Sequence, residues 1–116
     1  MHELSIVDAL IEQVRGEVDR AGQAGRITRL ELVIGRLSGV NADSIRFAFQ
    51  MLSPGTVVES AALAITEPKA VCRCRDCGVR AEIDELAAHC PGCGSGNVVI
   101  EGGQQLLLQS IELEDS

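Results

Sequence analysis

Near the start of the chain, apolar residues recur three and four positions apart. Leu4, Val7, Ile11, Val14 and Val18 fall on one face of a helical wheel, with Glu12, Arg15 and Asp19 elsewhere on it. Gly22 and Gly25 predict the end of this helix. The period then changes to two: over residues 28–34, Leu30, Leu32 and Ile34 share one face and Arg29 and Glu31 the other, as in a half-buried strand. Asn41 has the chemistry of an N-cap for a second helix, whose buried stripe is Ile45, Ala48, Phe49 and Leu52 before Pro54-Gly55 turns the chain. Alternation resumes at Leu63 and Ile65.

Gly102-Gly103 predicts a second break, and residues 105–113 read as a last strand. Leu107, Ile111 and Leu113 occupy one face, and Leu106 and Leu108 partly fill the other, which predicts a central strand pairing back with the first part of the chain. The expected fold class is α+β, a small sheet packed with two helices plus an inserted module. The expected domains are a discontinuous α+β domain of residues 1–68 and 103–116 and a module of residues 69–102, entered as a loop between two strands.

Composition sharpens that division. Of 116 residues, 46% are apolar, yet only two are aromatic, Phe47 and Phe49, while five are cysteines, all between Cys72 and Cys93. Four of these form two knuckles, Cys74-Arg75-Asp76-Cys77-Gly78 and Cys90-Pro91-Gly92-Cys93-Gly94, separated by twelve residues. A Cys-x-x-Cys turn aims two thiolates at one ion, and a glycine behind each pair suits the left-handed backbone needed to leave the turn. Four thiolates make a tetrahedral Zn(II) set, closed to water and therefore structural rather than catalytic, and the spacing makes the inserted module zinc-ribbon-like. A thioredoxin-like redox pair needs a single motif opening a helix, and a rubredoxin-like iron site has an aromatic shell that this segment lacks. A segment with so few large side chains cannot fold on its own core, and metal binding supplies the missing free energy. Cys72 and His89 stand beside the knuckles and read as a spare thiol and a solvated imidazole.

Charge and patterning narrow the class. Seventeen acidic residues against ten basic ones leave a net charge of -7, which repels phosphate backbones. Lys69, Arg73, Arg75 and Arg80 cluster, but Asp76, Glu82, Asp84 and Glu85 offset them, and no ring in the module can stack on a base. Two histidines and no nucleophile–base pair give an enzyme little to work with. No apolar run reaches the roughly 18 residues of a membrane span, and the early acidic residues exclude a signal peptide. The expectation is a cytoplasmic protein, neither membrane-bound nor nucleic-acid-binding, whose cysteines bind metal rather than pair.

The first three residues, Met1-His2-Glu3, carry a second metal chemistry. The α-amine, the main-chain nitrogens of His2 and Glu3 and the His2 imidazole can surround one ion in a plane, the geometry Ni(II) or Cu(II) prefers. A solvated terminus is the other reading of the same residues.

Taken together, the chain resembles the HypA/HybF family of nickel metallochaperones that serve hydrogenase maturation. The resemblance rests on Met1-His2-Glu3 ahead of an amphipathic helix, Leu32-Val33-Ile34-Gly35 with Ser38, Phe47-Ala48-Phe49, the two knuckles, and Gly103 before a closing strand ending Ile111-Glu112-Leu113. It implies nickel at His2, with the Met1 amine and the backbone of His2 and Glu3, and structural zinc at Cys74, Cys77, Cys90 and Cys93. It implies as partners a hydrogenase large-subunit precursor, a maturation GTPase and, for some relatives, urease maturation proteins. Some members place an acidic residue near the start of the second helix, where this chain has Asn41, with Asp43 nearby. The alternative function is a protein- or nucleic-acid-binding zinc ribbon with no nickel role.

Overall fold

The computed structural model describes residues 3–22 and 25–114, and the Met1 and His2 positions lie outside them. Helix α1 (Glu3–Ala21) is followed by strand β1 (Arg26–Ile34), helix α2 (Ala42–Leu52) and strand β2 (Ala62–Thr66). Strands β3 (Ala70–Cys74), β4 (Arg80–Ile83), β5 (Val98–Glu101) and β6 (Leu106–Glu114) complete the chain. The fold is α+β, as the pattern predicts. Two compact units are present: the described residues up to Leu32 with Val40–Ile65 and those from Leu108 on, and Val33–Gly39 with Thr66–Leu107.

In the first unit the apolar periods of the two helices meet. Val7, Leu10, Ile11 and Val14 of α1 are buried, as are Ala42, Ile45, Ala48 and Phe49 of α2, and the helices pack on one another. Leu4, expected to head the stripe, is exposed, and Leu10 is buried in its stead. Gly22, at φ 64°, ends α1 with its N–H on the Asp19 carbonyl, where a side chain would be strained. Asn41 caps α2: its side-chain oxygen accepts the Ser44 N–H at 3.0 Å, satisfying a donor the helix cannot.

One three-stranded sheet has the order β2-β1-β6. β1 is central and buries Ile27, Leu30, Leu32 and Ile34, while Arg29 stays exposed. The last strand does return to the first part of the chain. The Arg26 guanidinium lies 2.6 Å from the Glu114 carboxylate, that of Arg29 lies 3.1 Å from Glu112, and the Thr28 hydroxyl donates to the Glu112 carbonyl. The expectation that it is central is corrected, because among the described residues β6 has β1 as its one neighbour in the sheet. With no strand beyond it, Leu106 and Leu107 remain 43% and 48% exposed.

The second unit contains a sheet of its own, in the order β4-β3-β5, with both outer strands antiparallel to β3. Cys72 pairs with Ala81 on one side and Ile100 on the other. The zinc-ribbon-like module expected from the sequence is thus present, with three strands that the apolar pattern does not place. The segment Val33–Gly39 is tied in by three backbone hydrogen bonds: the Gly35 N–H to the Gln105 carbonyl, the Arg36 N–H to Pro68 and the Leu37 N–H to Gly103. Gly102 and Gly103, at φ 71° and 75°, form the expected break before β6. The buried apolar residues of this unit are Ile34, Ala70, Cys72, Cys74 and Cys90. Sulfur stands where a first-unit residue would be Leu or Ile.

Candidate metal centre

Strand β3 ends at Cys74 and so delivers the first knuckle from a fixed edge. The two knuckles then repeat one backbone design. Gly78 N–H reaches the Cys74 carbonyl at 3.1 Å and Gly94 N–H the Cys90 carbonyl at 2.9 Å. The first cysteine of each pair donates its own N–H five residues on, Cys74 to Val79 and Cys90 to Ser95. Gly78 and Gly94 sit at φ 79° and 80°, the left-handed exit that the sequence predicts at those positions.

This design points amides at sulfur. The Cys77 N–H lies 3.4 Å from the Cys74 sulfur, and the Gly92 and Cys93 N–H groups lie 3.3 and 3.4 Å from that of Cys90. Such donors favour the thiolate. The Cys93 amide, aided by that of Gly92, outweighs burial and lowers the Cys90 thiol to about 6. The Cys77 amide does the same in direction for Cys74. For Cys77 the Val79 amide opposes, but burial and the sulfurs of Cys74, Cys90 and Cys93 push the thiol up to about 12. The amides thus favour the thiolate at Cys74 and Cys90, and a cation binding all four sulfurs displaces the protons they carry.

The four sulfurs all lie within 4.8 Å of one another. The shortest approaches cross between knuckles, Cys74 to Cys93 at 3.7 Å and Cys77 to Cys90 at 3.6 Å. A tetrahedron with metal–sulfur bonds of about 2.3 Å has edges of about 3.8 Å, so the set fits one tetrahedral ion such as Zn(II). Among the described residues these four are the group brought together in this way. Cys72 stands apart from it, 1% exposed on the inner face of β3, and His89 is exposed. Cys72 is therefore a core residue outside the four-sulfur set.

A second set of contacts ties the knuckles together without sulfur. Asp76, between Cys74 and Cys77, accepts a hydrogen bond from the Ser95 hydroxyl and another, at 3.1 Å, from the Asn97 side-chain N–H. Ser95 Oγ in turn accepts the Asn97 N–H at 3.0 Å, and the Arg75 N–H donates to the Asn97 carbonyl at 2.9 Å. The Ser95 and Asn97 donors hold the Asp76 carboxyl below the usual carboxylate range. Sequence reading missed this bridge, counting Asp76 only as an offset to nearby cations.

The cationic cluster is largely neutralised. Lys69 lies 3.5 Å from Asp84, and Arg73 and Arg80 face Glu101 at 2.7 and 3.9 Å. The Arg73 hydrogen bond, with its charge and that of Arg80, holds the Glu101 carboxyl below its ordinary value against the effect of burial. Near the start of α2, the Asn41 oxygen is engaged in its cap and Asp43 accepts from Arg46 at 2.8 Å. The predicted nickel residues Met1 and His2 lie outside the described residues, and Glu3 is the first residue of α1. Among the described residues no helix is long and apolar enough to cross a membrane.

The whole chain has relatives among characterised proteins. Residues 1–113 match the family model described as "Hydrogenase/urease nickel incorporation, metallochaperone, hypA". The hydrogenase maturation factor HypA of Chlorobium limicola is 40% identical over 115 residues, covering 99% of this chain and 98% of its own. That of Aquifex aeolicus is 41% identical over 114 residues, covering 98% of each. The solution structure of the Ni metallochaperone HypA from Helicobacter pylori aligns at a TM-score of 0.66 and 30% identity over 97% of both chains.

Proposed function

The chain belongs to the HypA family of metallochaperones in hydrogenase and urease nickel incorporation, and from that premise we propose that it binds Ni(II) at its amino terminus and delivers it to a nickel–iron hydrogenase. Members of this family are metallochaperones, not enzymes, and their role lies in hydrogenase maturation. The observation that carries the finer reading is the extent of the match, which runs from residue 1 through the cysteine knuckles. Nickel is the cargo. It is held by the His2 imidazole, the Met1 amine and the main-chain nitrogens of His2 and Glu3, a planar nitrogen set that suits Ni(II) and leaves thiolates to another ion.

The four-cysteine set holds zinc through Cys74, Cys77, Cys90 and Cys93. Zinc supplies folding free energy there and no chemistry, because four protein ligands leave no position for water. The acceptor is a hydrogenase large-subunit precursor in the cytoplasm, reached together with a maturation GTPase, and urease maturation proteins are the parallel case.

A site with one side-chain ligand and the rest main chain selects its metal yet lets it go. Main-chain ligation requires loss of amide protons, and the α-amine titrates near roughly 7.7–8.0, so nickel affinity rises with pH across neutrality. Nickel titration of untagged protein tests this. His2→Ala, or one extra residue ahead of Met1, abolishes tight nickel binding while zinc content and helicity persist, and unchanged affinity in both variants rejects the site. For the second metal, Cys74→Ser or Cys90→Ser loses zinc, and full zinc occupancy in both variants rejects that assignment.

A further inference from the structure

The knuckles are far apart in sequence, and a closed four-thiolate site opens when one of them swings away. The β3–β5 ladder fixes the Cys74 end of the first knuckle beside Val98, but toward Cys77 the ladder stops and the four sulfurs converge on one ion site. Here Asp76 of the first knuckle takes hydrogen bonds from Ser95 and Asn97, which directly follow the second, and the Arg75 N–H reaches the Asn97 carbonyl beside them. Ser95 is itself fixed to the second knuckle, since its carbonyl accepts the Cys90 N–H at 2.7 Å. The path from Cys77 through Asp76 and Ser95 to Cys90 therefore contains no metal–sulfur bond.

We propose that Asp76 is a positioning residue of the zinc site, joining the two knuckles through Ser95 and Asn97 so that a partly detached ion is recaptured instead of lost. The inference rests on the zinc reading above and adds to it a determinant of how fast zinc leaves. When one Zn–S bond breaks, the bridge keeps the free thiolate within reach of the ion. Without it the detached knuckle swings away, and a competing ligand takes the metal. The requirement is for side-chain atoms that can hydrogen-bond to Ser95 and Asn97 from this position, not for negative charge, and this separates the proposal from a general electrostatic effect.

The test is transfer of zinc from the loaded, full-length protein to an excess of a chromogenic chelator. Asp76→Ala and Ser95→Ala are expected to release zinc about five- to tenfold faster, the scale set by losing an ordinary net hydrogen bond at an exposed site. Asp76→Asn keeps an acceptor for Asn97 and a donor for the Ser95 hydroxyl, and stays within about twofold of wild type. Glu85→Ala, which removes a carboxylate from the segment between the knuckles without touching the bridge, leaves the rate unchanged. Amide exchange at Arg75 in the loaded protein is faster in Asp76→Ala, which a change in overall charge would not produce. Wild-type release in Asp76→Ala overturns the proposal, as does equally fast release in Asp76→Asn or Glu85→Ala. Where Asp76→Ala fails to fold, Ser95→Ala against Asp76→Asn decides it. A wild-type chain that takes up no zinc overturns both this inference and the zinc reading, whereas stoichiometric zinc with unaltered rates overturns the bridge alone.

Discussion

At Gly35 a Cβ would overlap the Gly103 carbonyl group and come within 2.6 Å of the Gln105 side-chain oxygen, whereas at Gly39 it would meet open space. The first glycine is required by close approach of two backbones, the second by its φ of 79°. Gly35→Ala is expected to cost about 1–3 kcal/mol, the overpacking range, because neither neighbouring backbone can swing aside. Gly39→Ala is expected to cost nearer about 1 kcal/mol, the left-handed penalty alone. Urea unfolding of both variants with zinc bound checks the order, and an equal loss would show that φ, not contact, governs this segment. Glu101 is a second residue whose partners decide its chemistry. Because the Arg73 hydrogen bond holds its folded carboxyl below the ordinary carboxylate value, the stability it contributes is complete above that ordinary value and is lost as pH falls through the lower folded one. Carbon NMR of the Glu101 carboxyl is expected to show a midpoint below that ordinary value, returning toward it in Arg73→Gln. Residues with a local rule were legible in the sequence, Gly78 and Gly94 among them, since a Cys-x-x-Cys turn dictates its own exit. Asp76 was not, because its partners lie about twenty residues away and no periodicity links them.

At the scale of elements, both helices and the strands on either side of α2 follow from apolar period and capping chemistry. Asn41 illustrates why: its cap is a local hydrogen bond to Ser44, decided within one turn. Asn41→Ala is expected to cost about 1 kcal/mol, and Asn41→Asp, which keeps the acceptor and adds a charge favourable at a helix N-terminus, to cost a few tenths at most. Thermal melts followed by helical circular dichroism distinguish these, and equal destabilisation by both variants would assign Asn41 a role other than capping. The strands that escaped detection are short and irregular in apolar content. In β3 the inward residues are Ala70, Cys72 and Cys74, so the alternation is carried by small side chains and sulfur rather than by branched aliphatics. β6 misled in the opposite sense. Its run of three leucines has the composition of a central strand, but composition does not count neighbours, and the topology leaves it at an edge.

For the molecule as a whole, the two units differ in what holds them together, and this predicts how each responds to loss of metal. The first buries Val7, Leu10, Ile11, Val14, Leu30, Leu32, Ile45 and Val58 with the ring of Phe49, a mainly branched aliphatic core of ordinary kind. The second buries Cys72, Cys74 and Cys90 with Ala70 and Ile34. The imbalance of cysteines over aromatics was visible in the sequence, and so was the pair of knuckles whose four sulfurs the structure brings together. That Val33–Gly39 clusters with the cysteine unit was not, because hydrogen bonds to Pro68, Gly103 and Gln105 leave no mark on the local pattern. A structural zinc contributes on the order of 10 kcal/mol to the folding of a small module, as much as the whole stability of many domains. Chelation should therefore abolish amide protection in β3, β4 and β5 while α1 and α2 keep theirs, and helical circular dichroism should fall little. The check is hydrogen exchange before and after zinc removal, with re-addition of zinc restoring the lost protection. Protection that survives chelation in β3 and β5 would mean that strand pairing suffices and zinc is dispensable for the fold. Loss of protection in both helices together with the strands would mean that the units unfold as one, and that the sulfur-based core supports the aliphatic one.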